Sequence, residues 1–314
     1  MRLALLFSGQ GGQGPAHWQQ VQAGAHGELG EALLRVLPGI ADPSLTIMET
    51  TAGPRVNPEK LAKNKIAQPL IFAQQMLLWG ELQNRLPRPI CAAGYSLGEM
   101  AACCAAGAFT VVEGIALCAE RAAVMDAAAA GEHGMLAVLG LDDALVETLA
   151  EQAGLAVAIR NAPRHLVVAG PRTGIAVVAA QFEAAGASRL VHLAVQTPSH
   201  TPLLSQAALA FKKRLSVLPE RRLSFPVLSA IDATAARTAS SALDALARQI
   251  STPLNWASCL QTVREMQPDA VLEIGPGNAL ARLFSELAPE IPVRATDDFR
   301  SCEGIVRWLE AGNR

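Results

Sequence analysis

Short uninterrupted apolar runs alternate along this chain with longer stretches whose apolar residues recur every three or four positions. Leu3–Phe7, Pro89–Ala93 and Ala270–Ile274 are runs of five residues, short enough for strands buried on both faces. Helical periodicity covers Ile66–Leu86, Leu97–Ala106 and Val111–Ala129, and returns at Thr201–Leu218, Trp256–Met266 and Cys302–Glu310. A short strand is expected at Val227–Ala230, and Gly275-Pro276-Gly277 reads as a turn before a further helix. Strands alternating with helices predict an α/β layer fold with a largely parallel sheet. The middle of the chain has another rhythm. Met135–Leu139 is strand-like, Asp142–Gln152 helical, Ala156–Ile159 and His165–Ala169 strand-like, Thr173–Ala185 helical and Arg189–Leu193 strand-like. That order, β-α-β-β-α-β, predicts a small ferredoxin-like domain. The expected organisation is one large domain made of residues 1–130 and 198–314, with a small domain of residues 131–197 inserted and alanine-rich Ala127–Ala130 at the junction.

Composition narrows the possible partners. With 51% hydrophobic and only 17% charged residues in 314, the chain can bury a large core and is not a disordered segment. A net charge of −2 and 4% aromatic residues argue against a nucleic-acid surface. The six cysteines form no C-x-x-C pair and lie mostly in apolar stretches, as small buried hydrophobes of a reducing compartment do. The apolar run Leu3–Phe7 is too short for a signal peptide, and the uncharged stretch between Glu99 and Glu113 is too short to span a membrane. A cytoplasmic protein without a membrane partner is expected, and no histidine or cysteine cluster has metal-ligand spacing.

Gly94-Tyr95-Ser96-Leu97-Gly98 directly follows the second apolar run. A serine between two glycines at a strand-to-helix bend has the form of a nucleophile elbow: the glycines let backbone segments pass closely while the hydroxyl is held out beside a helix N-terminus. Such a geometry suits acyl transfer. His200, in the loop after Pro198-Ser199, is the candidate base; it could equally help to start the helix at Thr201. Arg121 lies on a helix of alanine and apolar residues, where a cation needs a partner. Either Glu120 or Glu99 could pair with it, or it could hold a substrate carboxylate. The loop Gly9–Gly14 spells G-x-G-x-x-G, yet no second strand ending in an acidic residue follows, so the dinucleotide reading is weak. Alternatively, the loop brings the Gln10 N–H beside Ser96, where it forms an oxyanion hole with the N–H of Leu97.

Gly9-Gln10-Gly11-Gly12-Gln13, Gly94-x-Ser96-x-Gly98-Glu99, Arg121, Pro198-Ser199-His200, Asn255-Trp256 and Glu273-Ile274-Gly275-Pro276-Gly277 occur in the order and spacing of one family. In these motifs the chain resembles the malonyl-CoA:acyl-carrier-protein transacylases over nearly its whole length. The resemblance implies an α/β-hydrolase-like large domain carrying the ferredoxin-like insert. It implies Ser96 as nucleophile, His200 as base, Arg121 as the malonyl-carboxylate site, and Gln10 and Leu97 as the oxyanion hole. Asn255 would orient the histidine through its backbone carbonyl. Malonyl-CoA would be the donor, a carrier-protein thiol the acceptor, and no bound cofactor or metal is implied. Tyr95, where the family commonly has histidine, and Asp297-Asp298-Phe299-Arg300 before a short helix resemble the transacylase (epsilon) subunit of malonate decarboxylase more than the fatty-acid-synthesis branch. The carrier would then be that enzyme's own carrier subunit.

Other readings predict other features. A serine esterase of the α/β-hydrolase type carries its histidine near the C-terminus, whereas none of the 114 residues after His200 is histidine. An oxidoreductase would rest on the N-terminal glycine loop alone, and a scaffold without activity would have no use for Ser96, Arg121 and His200 together. Lys212-Lys213-Arg214 and Arg221-Arg222 are either a docking surface for an acidic carrier or ordinary solvated charge.

Overall fold

The computed structural model describes residues 1–37, 46–50, 53–56, 58–195 and 197–312. The first strand, β1 (Leu3–Phe7), leads through the glycine loop into helices α1 (Pro15–Gly24) and α2 (Gly27–Val36). A hairpin of β2 (Thr46–Thr50) and β3 (Gly53–Val56) follows, then the short α3 (Pro58–Leu61) and the long α4 (Asn64–Leu82). Strand β4 (Cys91–Gly94) bends into α5 (Gly98–Ala105), and α6 (Val111–Ala128) closes this part. Next come β5 (His133–Leu139), α7 (Asp143–Gln152), β6 (Ala156–Ala162), β7 (His165–Pro171), α8 (Arg172–Ala184) and β8 (Arg189–His192). The remainder is α9 (Ser205–Leu215), β9 (Arg222–Leu228), β10 (Ala235–Thr238), α10 (Ala239–Arg248), β11 (Leu254–Asn255), α11 (Trp256–Glu265), β12 (Ala270–Ile274), α12 (Ala279–Leu287), β13 (Val293–Ala295) and α13 (Cys302–Ala311).

Six strands form the main sheet in the order β10-β9-β4-β1-β12-β13, and only the edge strand β10 runs antiparallel. The register sets Phe7 opposite both Gly94 and Ile274, so the loops after β1, β4 and β12 leave the sheet at one level. That carboxyl edge is where open α/β sheets hold their ligands. Successive residues of β1 serve opposite cores, as strand geometry requires. Leu3, Leu5 and Phe7 pack with Phe72 of α4 and Met100 of α5; Ala4 and Leu6 pack with Trp256 of α11 and Phe284 of α12. The second core also takes in Met135, Ile159 and Val167 from a smaller sheet, whose other face packs on α7 and α8 through Val146 and Phe182.

That smaller sheet has the order β11-β6-β7-β5-β8, antiparallel throughout the β-α-β-β-α-β unit, which is the split topology expected for the middle of the chain. Its fifth strand, β11, comes from outside the unit and pairs parallel with β6. The expected strand at Val227–Ala230 is instead β9, which begins at Arg222. The stretch expected to be one helix from Thr201 to Leu218 is a short 3-10 turn at Pro202–Leu204 followed by α9. Helices α1, α2 and α10 and strands β10 and β13 had no counterpart in the periodicity reading. Glycine-rich flanks obscured α1 and α2, and short edge strands carry too few residues to show alternation. Among the described residues no helix is long and apolar enough to cross a membrane.

Candidate active site

Ser96 stands at the bend between β4 and α5, and its two flanking glycines have no alternative. An ideal Cβ on Gly94 would lie 2.1 Å from the Glu99 nitrogen, and one on Gly98 would lie 2.0 Å from the Phe7 carbonyl oxygen. Both neighbours are backbone, so no rotamer change relieves the clash. Ser96 takes φ 53°, a left-handed conformation that a non-glycine residue keeps only when its surroundings hold it there. The bend lifts the hydroxyl off the sheet edge.

His200 reaches this hydroxyl from the loop after the small sheet, also with positive φ (65°), and is 1% exposed. Its Nδ1–H donates to the backbone carbonyl of Gln249 at 2.5 Å. A carbonyl only accepts, so this bond places the proton on Nδ1 and leaves a lone pair on Nε2. The Ser96 hydroxyl donates to that Nε2 at 2.8 Å. Burial above all pushes the His200 pKa down from 6.5 to about 3; the Gln249 carbonyl opposes the shift and the charge of Arg121 adds to it. The imidazole is therefore neutral at physiological pH and able to take the serine proton.

The orienting carbonyl belongs to Gln249 and not to Asn255, which corrects the expectation from the family motif. Asn255 does other work. Its side-chain oxygen accepts from the Ser258 N–H at 3.2 Å, capping α11, and its own N–H donates to the Ala230 carbonyl at 2.8 Å. Gln249 follows the last turn of α10, the helix absent from the periodicity reading. A signal for α10 was present: Thr238 as its N-cap, with Leu243, Leu246 and Ala247 on one buried face. Nothing in the sequence pointed from there to His200.

Arg121 is 1% exposed on α6. Its Nη1 donates to Gln68 Oε1 at 3.0 Å and its Nη2 to the Ser96 hydroxyl at 3.4 Å, while Nε is buried without a partner. Neither acidic candidate pairs with it. Glu120 takes Arg214 as its partner, and the Glu99 carboxyl accepts from the Ala230 N–H and from the Gln249 amide, both at 3.1 Å. Burial lowers the Arg121 pKa to about 10, which still leaves the guanidinium charged. Among the described residues no carboxylate contacts this buried cation, so beside the serine hydroxyl it has room in its bonding for an anion.

The glycine loop is wedged between the elbow and the turn after β12. A Cβ on Gly9 would meet the Tyr95 carbonyl oxygen at 2.6 Å, and one on Gly12 would meet the Pro276 carbonyl oxygen at 2.4 Å. The Gln10 side chain donates to Asn64 Oδ1 at 3.1 Å, and the main-chain N–H groups of Gln10 and Leu97 have no acceptor among the described residues. Asp297 fixes the loop from outside. It accepts from His17 Nε2–H at 3.0 Å and from the Gly277 N–H at 2.6 Å, while the Gly14 N–H donates to His17 Nδ1 at 3.0 Å. Tyr95 ties the elbow to the small sheet: its ring meets Trp256 edge-on at 5.3 Å and its hydroxyl donates to Asn161 at 3.0 Å. The basic stretches are less available than they look in sequence, since Lys212 pairs with Asp244, Arg214 with Glu120 and Arg221 with Glu113.

The chain as a whole matches known proteins. The family model for the acyl transferase domain matches residues 41–303. The malonyl CoA-acyl carrier protein transacylase of Mycobacterium tuberculosis is 31% identical over 300 residues, which span 93% of this chain and 95% of that protein. The solved malonyl-CoA:acyl carrier protein transacylase of Xanthomonas oryzae shares the fold at a TM-score of 0.83 and 27% identity, covering 99% of both chains. A complex of a type II polyketide synthase acyl-carrier protein with its malonyl-transacylase matches at a TM-score of 0.84 and 26% identity over 98% of this chain and 99% of that one. With its motifs, its fold and its serine–histidine–arginine cluster, the chain belongs to the acyl transferase domain family, among the malonyl-CoA:acyl-carrier-protein transacylases.

Proposed function

We propose that this protein carries a malonyl group from malonyl-CoA, through an ester on Ser96, to the prosthetic-group thiol of an acyl carrier protein. The observation that carries the proposal is the buried guanidinium of Arg121, 3.4 Å from the Ser96 hydroxyl and paired with no carboxylate among the described residues. In the first half-reaction His200 Nε2 takes the Ser96 proton as the oxygen attacks the thioester carbon. The carbonyl oxygen becomes an oxyanion, held by the main-chain N–H groups of Gln10 and Leu97, each worth about 3–4 kcal/mol of barrier. The carbon–sulfur bond then breaks, and CoA leaves as the thiol with the proton from His200. Arg121 keeps the distal carboxylate of the malonyl ester in place. In the second half-reaction His200 takes the proton of the carrier thiol, the sulfur attacks the ester carbon, the bond to the Ser96 oxygen breaks, and His200 returns the proton to that oxygen. A neutral acceptor behind His200 selects the tautomer, as an aspartate does in a triad, but stabilises the imidazolium less than a carboxylate would.

The same reading divides the chain into a large catalytic unit of residues 1–130 and 198–314 and a small unit of 131–197, with β11 of the large unit completing the small sheet. Replacing Arg121 by alanine should cut the preference for malonyl-CoA over acetyl-CoA by about one to two decades, the worth of one charge-assisted pair. Steady-state rates with both donors measure this, and an unchanged preference would remove Arg121 from the assignment.

For the acceptor we infer the carrier subunit of malonate decarboxylase, supported by Tyr95 at the elbow and by Asp297, which ties the C-terminal turn to the glycine loop. A carrier of fatty-acid or polyketide synthesis is the second reading, favoured by the names of the relatives and by the polyketide complex. The malonylated protein, with the acyl group mapped to Ser96 by mass spectrometry, should pass it faster to a carrier bearing a phosphoribosyl-dephospho-CoA arm than to one bearing phosphopantetheine. Equal or reversed rates would favour the second reading.

A further inference from the structure

Ser96 is held from two sides by unlike groups. On one side Arg121 Nη2 donates to its hydroxyl at 3.4 Å; on the other the side-chain amide of Gln249 donates to its carbonyl at 3.3 Å and to the Glu99 carboxyl at 3.1 Å. Glu99 is a buried acid, 1% exposed, in the first turn of α5, and each of Glu99 and Arg121 lies in the other's field. A buried carboxylate within the field of a buried guanidinium ordinarily pairs with it, because the two desolvation costs are then shared. Here they do not pair. The acid is bonded to Gln249 and to the Ala230 N–H instead.

We propose that Gln249 and Glu99 are a specificity-determining pair: the amide holds the Glu99 carboxyl away from Arg121, so the guanidinium is left for the carboxylate of the acyl group. This inference rests on reading Arg121 as the acyl-carboxylate site. An ionised Glu99 would put a second negative charge in the field of Arg121 and so weaken its hold on the substrate carboxylate. The surroundings favour the neutral acid. Burial raises the Glu99 pKa from 4.5 to about 8, against the opposing pull of the Ala230 N–H and of Arg121. The other groups that act on it are Asp232 after β9 and Arg248 on α10; Cys103 on its own helix and Cys259 on α11 also lie in its field.

The test compares kcat/KM for malonyl-CoA and acetyl-CoA in the wild type, Glu99→Gln, Gln249→Leu and the double variant. Gln249→Leu keeps the backbone carbonyl on His200 but frees the acid, so the malonyl-to-acetyl ratio should fall about tenfold, through the KM for malonyl-CoA. Adding Glu99→Gln, which cannot ionise, should restore the ratio to within about threefold. In the wild type the ratio should also fall as pH rises from about 7 to about 9, and in Glu99→Gln it should stay flat, a comparison that holds even where Gln249→Leu does not fold. A wild-type ratio in Gln249→Leu, a loss that the double variant does not reverse, or a wild-type ratio independent of pH would overturn the proposal. If Arg121→Ala has the wild-type ratio, the reading of Arg121 is what has failed, and the two failures are thereby told apart.

Discussion

Ser96→Ala should lower malonyl transfer by about five to six decades while leaving the protein folded, and no malonyl adduct should appear on the elbow peptide. His200→Ala should cost nearly as much, and the double variant no more than either alone. The reason is that the 2.8 Å hydrogen bond makes the two side chains one device: without the imidazole the hydroxyl keeps its proton, and without the hydroxyl the imidazole has nothing to activate. Single-turnover acylation by malonyl-CoA measures all three variants. Losses that add, so that the double variant falls to roughly the product of the singles, would mean the two residues act separately. The same assay carries a pH signature. With the His200 pKa held near 3, acylation by the wild type should be level between about pH 7 and pH 5, where an exposed histidine would lose its activity near 6.5.

A large effect on stability is expected at Gly98. A methyl group there would stand 2.0 Å from the Phe7 carbonyl oxygen, 2.6 Å from its carbon and 2.8 Å from the Ser8 carbonyl oxygen. The two Phe7 atoms belong to the end of β1, which pairs with β4 and β12 on either side and cannot retreat, and Ser8 is the residue directly after it. Gly98→Ala should therefore destabilise the protein by more than about 4 kcal/mol or prevent folding outright. Gly80 is the contrast. It lies in α4 with nothing within 4 Å of an added Cβ, so Gly80→Ala should gain up to about 1 kcal/mol from helix propensity. Thermal and denaturant melts of the two variants check both signs, and a Gly98→Ala protein with wild-type stability would mean the elbow is looser than described.

The sequence by itself left open whether His200 and Arg121 meet the elbow serine; what it determined is the layered α/β fold, the βαββαβ unit and the elbow serine itself. These are local properties: a run of five apolar residues, a period of 3.6 or 2, and glycines at a fixed offset from a serine need no knowledge of the rest of the chain. The resemblance to the transacylases added the order of six motifs. Only the tertiary structure decided which carbonyl stands behind His200, that Arg121 has neither Glu120 nor Glu99 for a partner, and that Lys212, Arg214 and Arg221 in the basic stretches have acidic partners. Each of those is a choice among groups far apart in sequence, such as Gln249 and His200, 49 residues apart, or Glu120 and Arg214, 94 apart. Side-chain partners at such separations are selected by the packing of whole helices and by the cost of leaving a buried polar group unbonded, and neither leaves a periodic trace in the chain.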